Sequence, residues 1–320
     1  MSKIIVVCGP TASGKSNLAL DMAQNLNAEI VSADSMQLYR HMDIGTAKVS
    51  ASEQEQVKHH LLDTLEPDAT FSVADYVIKA EEAITEIEKR GKRVIVCGGT
   101  GQYINALLDG LNFASAPPKD KTISLRKQIE NTITSENMGQ WHAKISILDP
   151  QSAHKIATSD LRRIRRFFEV YETTGLTKTE INLNSKKNGP KHEFISFCLL
   201  PPRPELYERI NLRVEKMIEA GLLNEIKYLL DNYPHITEAQ SFQAIGYKEF
   251  LPYFQSQSAN PQELLAKLVV QCQQASRRYA KRQSTWFRAR NDLQFIPSSY
   301  EPNTVASREL LTYLLELCRN

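Results

Sequence analysis

Three features of this 320-residue sequence predict an α/β fold: a parallel sheet covered by helices on both faces, with helical regions inserted between its strands. Apolar runs alternate with helix-like stretches in the first third. A glycine-rich turn joins the first run to the first helix. After the segment FASAPPKDK the texture turns mostly helical and polar. Strands that are apolar throughout are buried on both faces, which is the condition of parallel sheets.

The elements follow in order. KIIVVC reads as a buried strand, and GPTASGKS leads into a helix over residues 15–25. AEIVSADS is a second strand, residues 73–90 a helix, and RVIVCGG a third strand running into TGQYINALLDG. Ligands of such sheets bind beyond the carboxyl ends of the strands. The glycine-rich turn, Asp34 and the Gly98, Gly99, Thr100 run are therefore expected to converge on one crevice.

Residues 125–174 are expected to be mostly helical, followed by a loop, NLNSKKNGPKH, and a strand, EFISFCLL, that rejoins the sheet. A long helical stretch over 205–283 is broken near Pro234 and Pro252, and LQFIP and a helix over 307–317 close the chain. The expected organisation is a core of residues 1–115, 190–210 and 280–320, with two helical excursions, 116–189 and 211–279.

The turn has P-loop spacing, which makes the expected fold that of the P-loop nucleoside triphosphate hydrolases. Gly9 and Gly14 allow backbone conformations that aim successive N–H groups inward, so that Gly9, Pro10, Thr11, Ala12, Ser13 and Gly14 form a nest for phosphate oxygens at a helix start. Lys15 adds positive charge, and the Ser16 hydroxyl is placed to ligate Mg²⁺.

Composition sets the outer limits. Hydrophobic residues make up 42% and charged residues 24%, and 39 basic against 37 acidic side chains leave a net charge of +2. Any polyanion surface must then come from local clustering. No stretch approaches the roughly 18 apolar residues of a membrane span, and the apolar run before Gly9 is too short for a signal peptide core. A cytoplasmic, monomeric protein without a membrane partner is expected. Cys8, Cys97, Cys198, Cys272 and Cys318 form no CxxC pair, which argues against zinc and against a disulfide framework.

A nucleotide-cleaving P-loop enzyme usually carries a magnesium-positioning carboxylate after a second apolar strand. RVIVC ends instead in two glycines and Thr100, and the strand that does end in an acid offers Asp34. That carboxylate is a metal ligand, a base facing a nucleophile, or a cap of the following turn.

GPTASGKS, SADSMQLYRHMDIGTAK, HHLLD, GGTGQY, DLRRIRRFFEVYETTG, LYERINLRVEKMIEAGLLNE, QAIGYKE and KRQSTWFR occur in the order and spacing of the tRNA dimethylallyltransferases, which the chain resembles from about residue 4 to 290. The resemblance implies transfer of a dimethylallyl group from dimethylallyl diphosphate to the exocyclic amine of the adenosine 3′ of the anticodon, position 37. On this reading the cradle holds the diphosphate of an allylic donor. Lys15, the 11–16 backbone and Mg²⁺ on Ser16 bind it, Thr100 donates to an oxygen that gains charge, and Arg213 reaches the diphosphate. Asp34 takes the amine proton, and Asp34, Ser35, Met36 and Gln37 meet the extruded base or its neighbours. The match departs at Phe167 and Phe168, where small and aliphatic residues are usual.

Two basic clusters suit an anticodon loop, and both helical excursions are expected to contribute to tRNA binding. One cluster is Arg162, Arg163, Arg165 and Arg166. The other, RRYAKRQSTWFRAR, includes Lys281, Arg282 and Gln283, with Tyr279 and Trp286 interleaved. Gly246, in QAIGYKE, belongs to a further matched RNA-contact segment. Adjacent His59 and His60 point to opposite sides of an extended chain and read as packing or surface residues. The competing readings are a small-molecule P-loop kinase with Arg203, Arg209 and Arg213 in a lid, an isopentenyltransferase acting on free adenine nucleotides, and an RNA-binding protein with a vestigial P-loop. The missing carboxylate weighs against the kinase, and the basic clusters favour a macromolecular acceptor.

Overall fold

Five consecutive apolar residues, Ile4–Cys8, form a fully buried strand, β1. The structure is a computed structural model and describes residues 3–111, 119–185, 189–256 and 260–319. In chain order β1 is followed by α1 (Lys15–Leu26), β2 (Ala28–Ser32), α2 (Ala51–Gln56), β3 (His59–His60), α3 (Val73–Lys89), β4 (Arg93–Gly98) and α4 (Gly101–Leu108). Next come α5 (Lys119–Thr132), α6 (Met138–Leu148), α7 (Pro150–Lys155), α8 (Leu161–Thr174) and α9 (Lys178–Ser185). The chain continues through β5 (Phe194–Leu199), α10 (Arg203–Glu219), α11 (Leu222–Asn232), short 3₁₀ turns, α12 (Leu251–Gln255), α13 (Pro261–Arg288), β6 (Gln294–Ile296) and α14 (Val305–Arg319).

The strands form one parallel sheet in the order β3-β2-β4-β1-β5-β6. In register, Cys8 faces Gly98 on one side and Cys198 on the other, so the P-loop leaves β1 level with the ends of both neighbours. The connection after β1 runs to the β2 side and the one after β4 crosses to β5, placing the strand-order reversal, and its crevice, at the P-loop. Ile5, Val7, Leu18, Met22, Phe197, Leu199 and Leu314 fill one face between the sheet, α1 and α14. On α3, Tyr76 stacks on Tyr103 with ring centroids 3.9 Å apart.

The chain divides into two compact units, Met1–Asn105 with His192–Asn320, and Ala106–Lys191. The smaller unit takes in the first expected excursion and packs Ile129, Ile133, Ile145, Ile164, Phe167 and Phe168 into its own core. Both unusual phenylalanines are thus accommodated by burial, edge to face at 5.3 Å. The second expected excursion, 211–279, is not a separate unit. Val214, Leu222, Ile226, Tyr247, Phe250 and Cys272 share one core with Tyr39 and Met42, and that common burial joins the helices to the segment after β2.

Several sequence expectations shift. The strand RVIVCGG is the fourth because the two-residue β3 pairs with β2 without any apolar run to announce it. The helix α2, started by a capping box at Ser50 and Glu53, was also unmarked by apolar periodicity. The expected loop NLNSKKNGPKH is helical through Ser185. Residues 186–188 of that loop, and 113–118 of FASAPPKDK, lie outside the described residues. All five cysteines are buried free thiols.

Candidate active site

The P-loop takes the strained path that its glycines predict. Gly9, Ala12 and Gly14 all have positive φ, at 151°, 64° and 87°. A Cβ on Gly14 would lie 2.1 Å from the Tyr300 carbonyl oxygen, so this glycine is required by close approach as well as by φ. The helix α1 starts at Lys15 with no side-chain cap, leaving its first N–H groups directed at the loop mouth.

Two arginines four residues apart on one face of α10 lie on the loop. Arg213 donates from Nη1 to Thr11 Oγ1 at 2.9 Å and from Nη2 to the Thr46 carbonyl at 3.3 Å. Arg209 donates from Nε to the Ala12 carbonyl at 2.8 Å and pairs with Glu301. From the other side Gln283 on α13 accepts from Thr11 N–H at 2.9 Å and donates to the Gly99 carbonyl at 2.9 Å. Burial pushes the Lys15 ammonium down from the ordinary lysine value and Arg213 down from the ordinary arginine value, and in both the charge of Asp34 opposes the change.

The two glycines that replace the expected carboxylate have a steric reason. A Cβ on Gly98 would meet the Ala33 carbonyl oxygen at 2.1 Å, and one on Gly99 would meet Gln283 Nε2 at 2.5 Å. The end of β4 is therefore packed against the residue that follows β2, and the turn after β2 carries the acid. Asp34 is half-buried and accepts from Met36 N–H at 2.9 Å through Oδ1. Together with Lys15, Ser16, Arg213, Tyr279 and Gln283 it lines a cavity of about 320 Å³. Ser35, Met36, Gln37 and Gly246 line the same cavity.

A second cavity, of about 860 Å³, shares Lys15, Ser16, Ala47, Arg213 and Met217 with the first. Residues of the phosphate cradle thus line both cavities. Ser16 is exposed and borders both. Among the described residues no group of three or more His, Cys, Asp or Glu side chains gathers in metal-ligating fashion. The donor set at the loop, one hydroxyl beside a phosphate nest, fits an ion such as Mg²⁺ that takes few protein oxygens and several from substrate phosphates.

The expected site residues do not all serve alike. Thr100 Oγ1 accepts from Ser35 N–H at 3.0 Å and lies 3.3 Å from Ser35 Oγ, and it lines neither cavity. Its hydroxyl ties β4 to the segment after β2. Gln283, expected on the RNA side, is 6% exposed with both ends of its amide engaged by backbone. Arg165, expected with its neighbours in a basic patch, donates to the Ile133 and Glu130 carbonyls at the end of α5. Arg162, Arg163 and Arg166 are exposed on α8, and Lys281 and Arg282 are exposed on α13. Trp286 is 42% exposed and covers Gly101, whose Cβ would meet its ring at 2.3 Å. His60 is paired with the buried Glu29 at 2.7 Å and His59 bonds the Val57 carbonyl, so both are structural.

Sequence reasoning missed Arg209 as a P-loop contact, and it missed Glu225 and Lys48. Lys48 bonds Asp43, Asp63 and the Tyr39 carbonyl at 2.5–2.7 Å. The i, i+4 spacing of Arg209 and Arg213 on a predicted helix was the available signal for the first, and the other two had none.

The IPP transferase family model matches residues 37–290. The chain is similar to a tRNA dimethylallyltransferase of Halothermothrix orenii, with 41% identity over 92% of this chain and 87% of the relative. Among solved structures it is similar to the full-length tRNA isopentenylpyrophosphate transferase of Bacillus halodurans, with a TM-score of 0.70, 35% identity and coverage of 100% and 98% of the two chains. A eukaryotic dimethylallyltransferase solved acting on tRNA matches with a TM-score of 0.82 and 28% identity, over 100% of this chain and 80% of the other. A phosphate cradle flanked by two arginines, an acid just after β2 in the same cavity, and a match covering most of the chain lead to one conclusion: the chain belongs to the IPP transferase family.

Proposed function

We propose that this protein transfers the dimethylallyl group of dimethylallyl diphosphate to the exocyclic amine of the adenosine 3′ of the anticodon, position 37 of tRNA, releasing diphosphate. The observation that carries the reading is the placement of Asp34 in one cavity with Lys15, Ser16 and Arg213. A carboxylate there meets an acceptor in the same cavity whose cations hold the leaving group.

The chemistry follows from those positions. The amine lone pair forms a bond to the allylic carbon as the carbon–oxygen bond to diphosphate breaks with its electron pair. The amine proton passes to the Asp34 carboxylate. Lys15, Arg213 and the P-loop N–H groups receive the charge that grows on the departing diphosphate, so they stabilise the transition state more than the bound donor. Mg²⁺ held by Ser16 and the diphosphate oxygens would add charge neutralisation at the same group. An aromatic amine is a weak nucleophile, which makes its orientation by the segment 34–37 part of the rate.

The exposed Arg162, Arg163, Arg166, Lys281 and Arg282 are assigned to tRNA phosphates, and Tyr279 and Gly246 to the acceptor cavity. No helix among the described residues is long and apolar enough to cross a membrane. The same reading has the enzyme act as a monomer in the cytoplasm.

The test incubates the protein with Mg²⁺, dimethylallyl diphosphate and unmodified tRNA carrying adenosine at position 37, followed by nucleoside mass analysis. Prenylated adenosine from tRNA and none from AMP is the expected result. Prenylated AMP would assign the protein to the free-nucleotide enzymes, and ATP turnover without either product would restore the kinase reading.

A further inference from the structure

The segment between β2 and α2 supplies residues to both cavities, yet residues 33–50 form no regular element. Its shape is set from outside. Glu225, in the first turn of α11, accepts from three successive backbone amides of this segment: Asp43 N–H and Ile44 N–H at 2.8 Å each on Oε2, and Gly45 N–H at 3.1 Å on Oε1. Oε1 also accepts from the Tyr247 hydroxyl at 2.7 Å. Four donors occupy the roughly four acceptor positions of a carboxylate.

The seat is sterically specific. Tyr247 is fully buried, and a Cβ on Gly45 would lie 2.5 Å from its ring, so the backbone reaches the carboxylate only because residue 45 is glycine. The residue after this clasp is Thr46. Its carbonyl accepts from Arg213 Nη2 at 3.3 Å and from Gln37 Nε2 at 3.3 Å, and Gln37 donates also to the Ala47 carbonyl at 3.2 Å. Arg213 in turn reaches Thr11 of the P-loop. A path of hydrogen bonds and backbone therefore runs from Glu225 through the 43–45 amides, along the chain to the Thr46 carbonyl, and on to Arg213 and the phosphate cradle.

We propose that Glu225 is a positioning residue for the transfer reaction, fixing the 43–46 backbone so that the Thr46 carbonyl aims Arg213 at the donor diphosphate. The inference rests on the proposed function for the identity of that diphosphate. Its effect is indirect, since Glu225 lines neither cavity. A rigid seat matters because misplacement of a binding group by about 1 Å costs on the order of 10²-fold in rate. A purely structural carboxylate would weaken the fold without regard to Arg213.

The test is a double-mutant cycle on inorganic pyrophosphate binding, read by calorimetry on the full-length protein, with prenyl transfer to tRNA measured in parallel. Glu225→Gln keeps the side-chain shape but replaces one acceptor by a donor, and it should weaken pyrophosphate binding roughly tenfold. In an Arg213→Ala background the same substitution should add less than about twofold, because the group it aims is gone. Losses that simply add would overturn the proposal. If Glu225→Gln does not fold, Tyr247→Phe, which removes one donor and keeps the ring against Gly45, takes its place in the cycle, with a threefold or smaller effect that again vanishes without Arg213. Equal effects in both backgrounds would count against positioning. Wild-type protein that binds pyrophosphate but does not prenylate tRNA would refute the proposed function, while the coupling measured between Glu225 and Arg213 would still decide the positioning role. Wild-type protein that does not bind pyrophosphate would overturn both.

Discussion

Arg213 on α10 and Thr11 of the P-loop, 202 positions apart in sequence, are joined by a 2.9 Å hydrogen bond from Nη1 to Oγ1. The guanidinium is one of several groups that hold a loop otherwise free at the end of β1, with Arg209 on the Ala12 carbonyl and Gln283 on Thr11 N–H. The loop has positive φ at Gly9, Ala12 and Gly14, a backbone state that persists where surrounding contacts over-determine it.

Arg213→Lys tests whether the fork or the charge matters. Lysine is a point charge on a flexible stem and cannot serve Thr11, the Thr46 carbonyl and a diphosphate with one planar group. The expected loss is roughly 10²-fold to 10³-fold in kcat/KM, the scale of removing a preorganised donor to developing charge. Steady-state diphosphate release with unmodified tRNA measures it, and a loss under threefold would take Arg213 out of the transition state.

Asp34→Asn tests the proposed proton-accepting role. The amide oxygen can still accept from Met36 N–H, as Oδ1 does at 2.9 Å, so the turn after β2 is kept. The expected outcome is a fall in kcat of roughly 10²-fold to 10⁴-fold, with tRNA affinity within twofold of the parent. Single-turnover kinetics and a filter-binding titration separate the two, and near-normal turnover would leave Asp34 as a turn cap only.

The division between what the sequence revealed and what it hid has a physical basis. The P-loop, β1, β4 and α3 were legible because each is specified by neighbours in sequence: glycine spacing, unbroken apolar runs, a 3.6-residue stripe. The convergence of Asp34 with the loop followed from parallel topology alone. Gln283, Glu225 and Arg165 were not legible as what they are, since their partners lie 22 to 272 positions away and their own neighbourhoods look like ordinary solvated helix. A run of arginines states charge, not direction, and Arg165 turns inward to cap α5 while Arg162, Arg163 and Arg166 stay on the surface.

Glu29 makes stability depend on acid. It is 2% exposed, and burial alone would raise its pKa, but hydrogen bonds from Arg90, His60 and Lys92 outweigh burial and hold it at about 2 against an ordinary 4.5. A depressed carboxylate stabilises the folded state at pH values above its unfolded value, and the contribution is lost as pH falls from about 4.5 to about 2. The shift corresponds to about 3 kcal/mol. Glu29→Gln should therefore lower the urea midpoint clearly at pH 7, with the gap to the parent shrinking below pH 4. Trp286 fluorescence in a Trp141→Phe background reports the larger unit, and a pH-independent gap would contradict the argument.

Gln283→Ala distinguishes a strut from an RNA contact. The side chain bridges Thr11 N–H and the Gly99 carbonyl across the mouth of β1 and β4, and its truncation leaves both without that partner, at a cost of about 1–3 kcal/mol for a buried unsatisfied group. Because Thr11 also receives Arg213, the loss should reach the cradle: kcat/KM for dimethylallyl diphosphate falls roughly tenfold, while tRNA affinity stays within twofold. Lys281→Ala, two residues away and exposed, should do the opposite. It should weaken tRNA binding and reduce the steepness of its salt dependence by about 0.7–0.9 in log–log slope, with turnover at saturating tRNA preserved. Equilibrium tRNA binding at several salt concentrations, set beside donor kinetics, decides the matter. Were Gln283→Ala to weaken tRNA binding as Lys281→Ala does and leave donor kinetics alone, the strut would be the wrong description of a residue that reaches RNA.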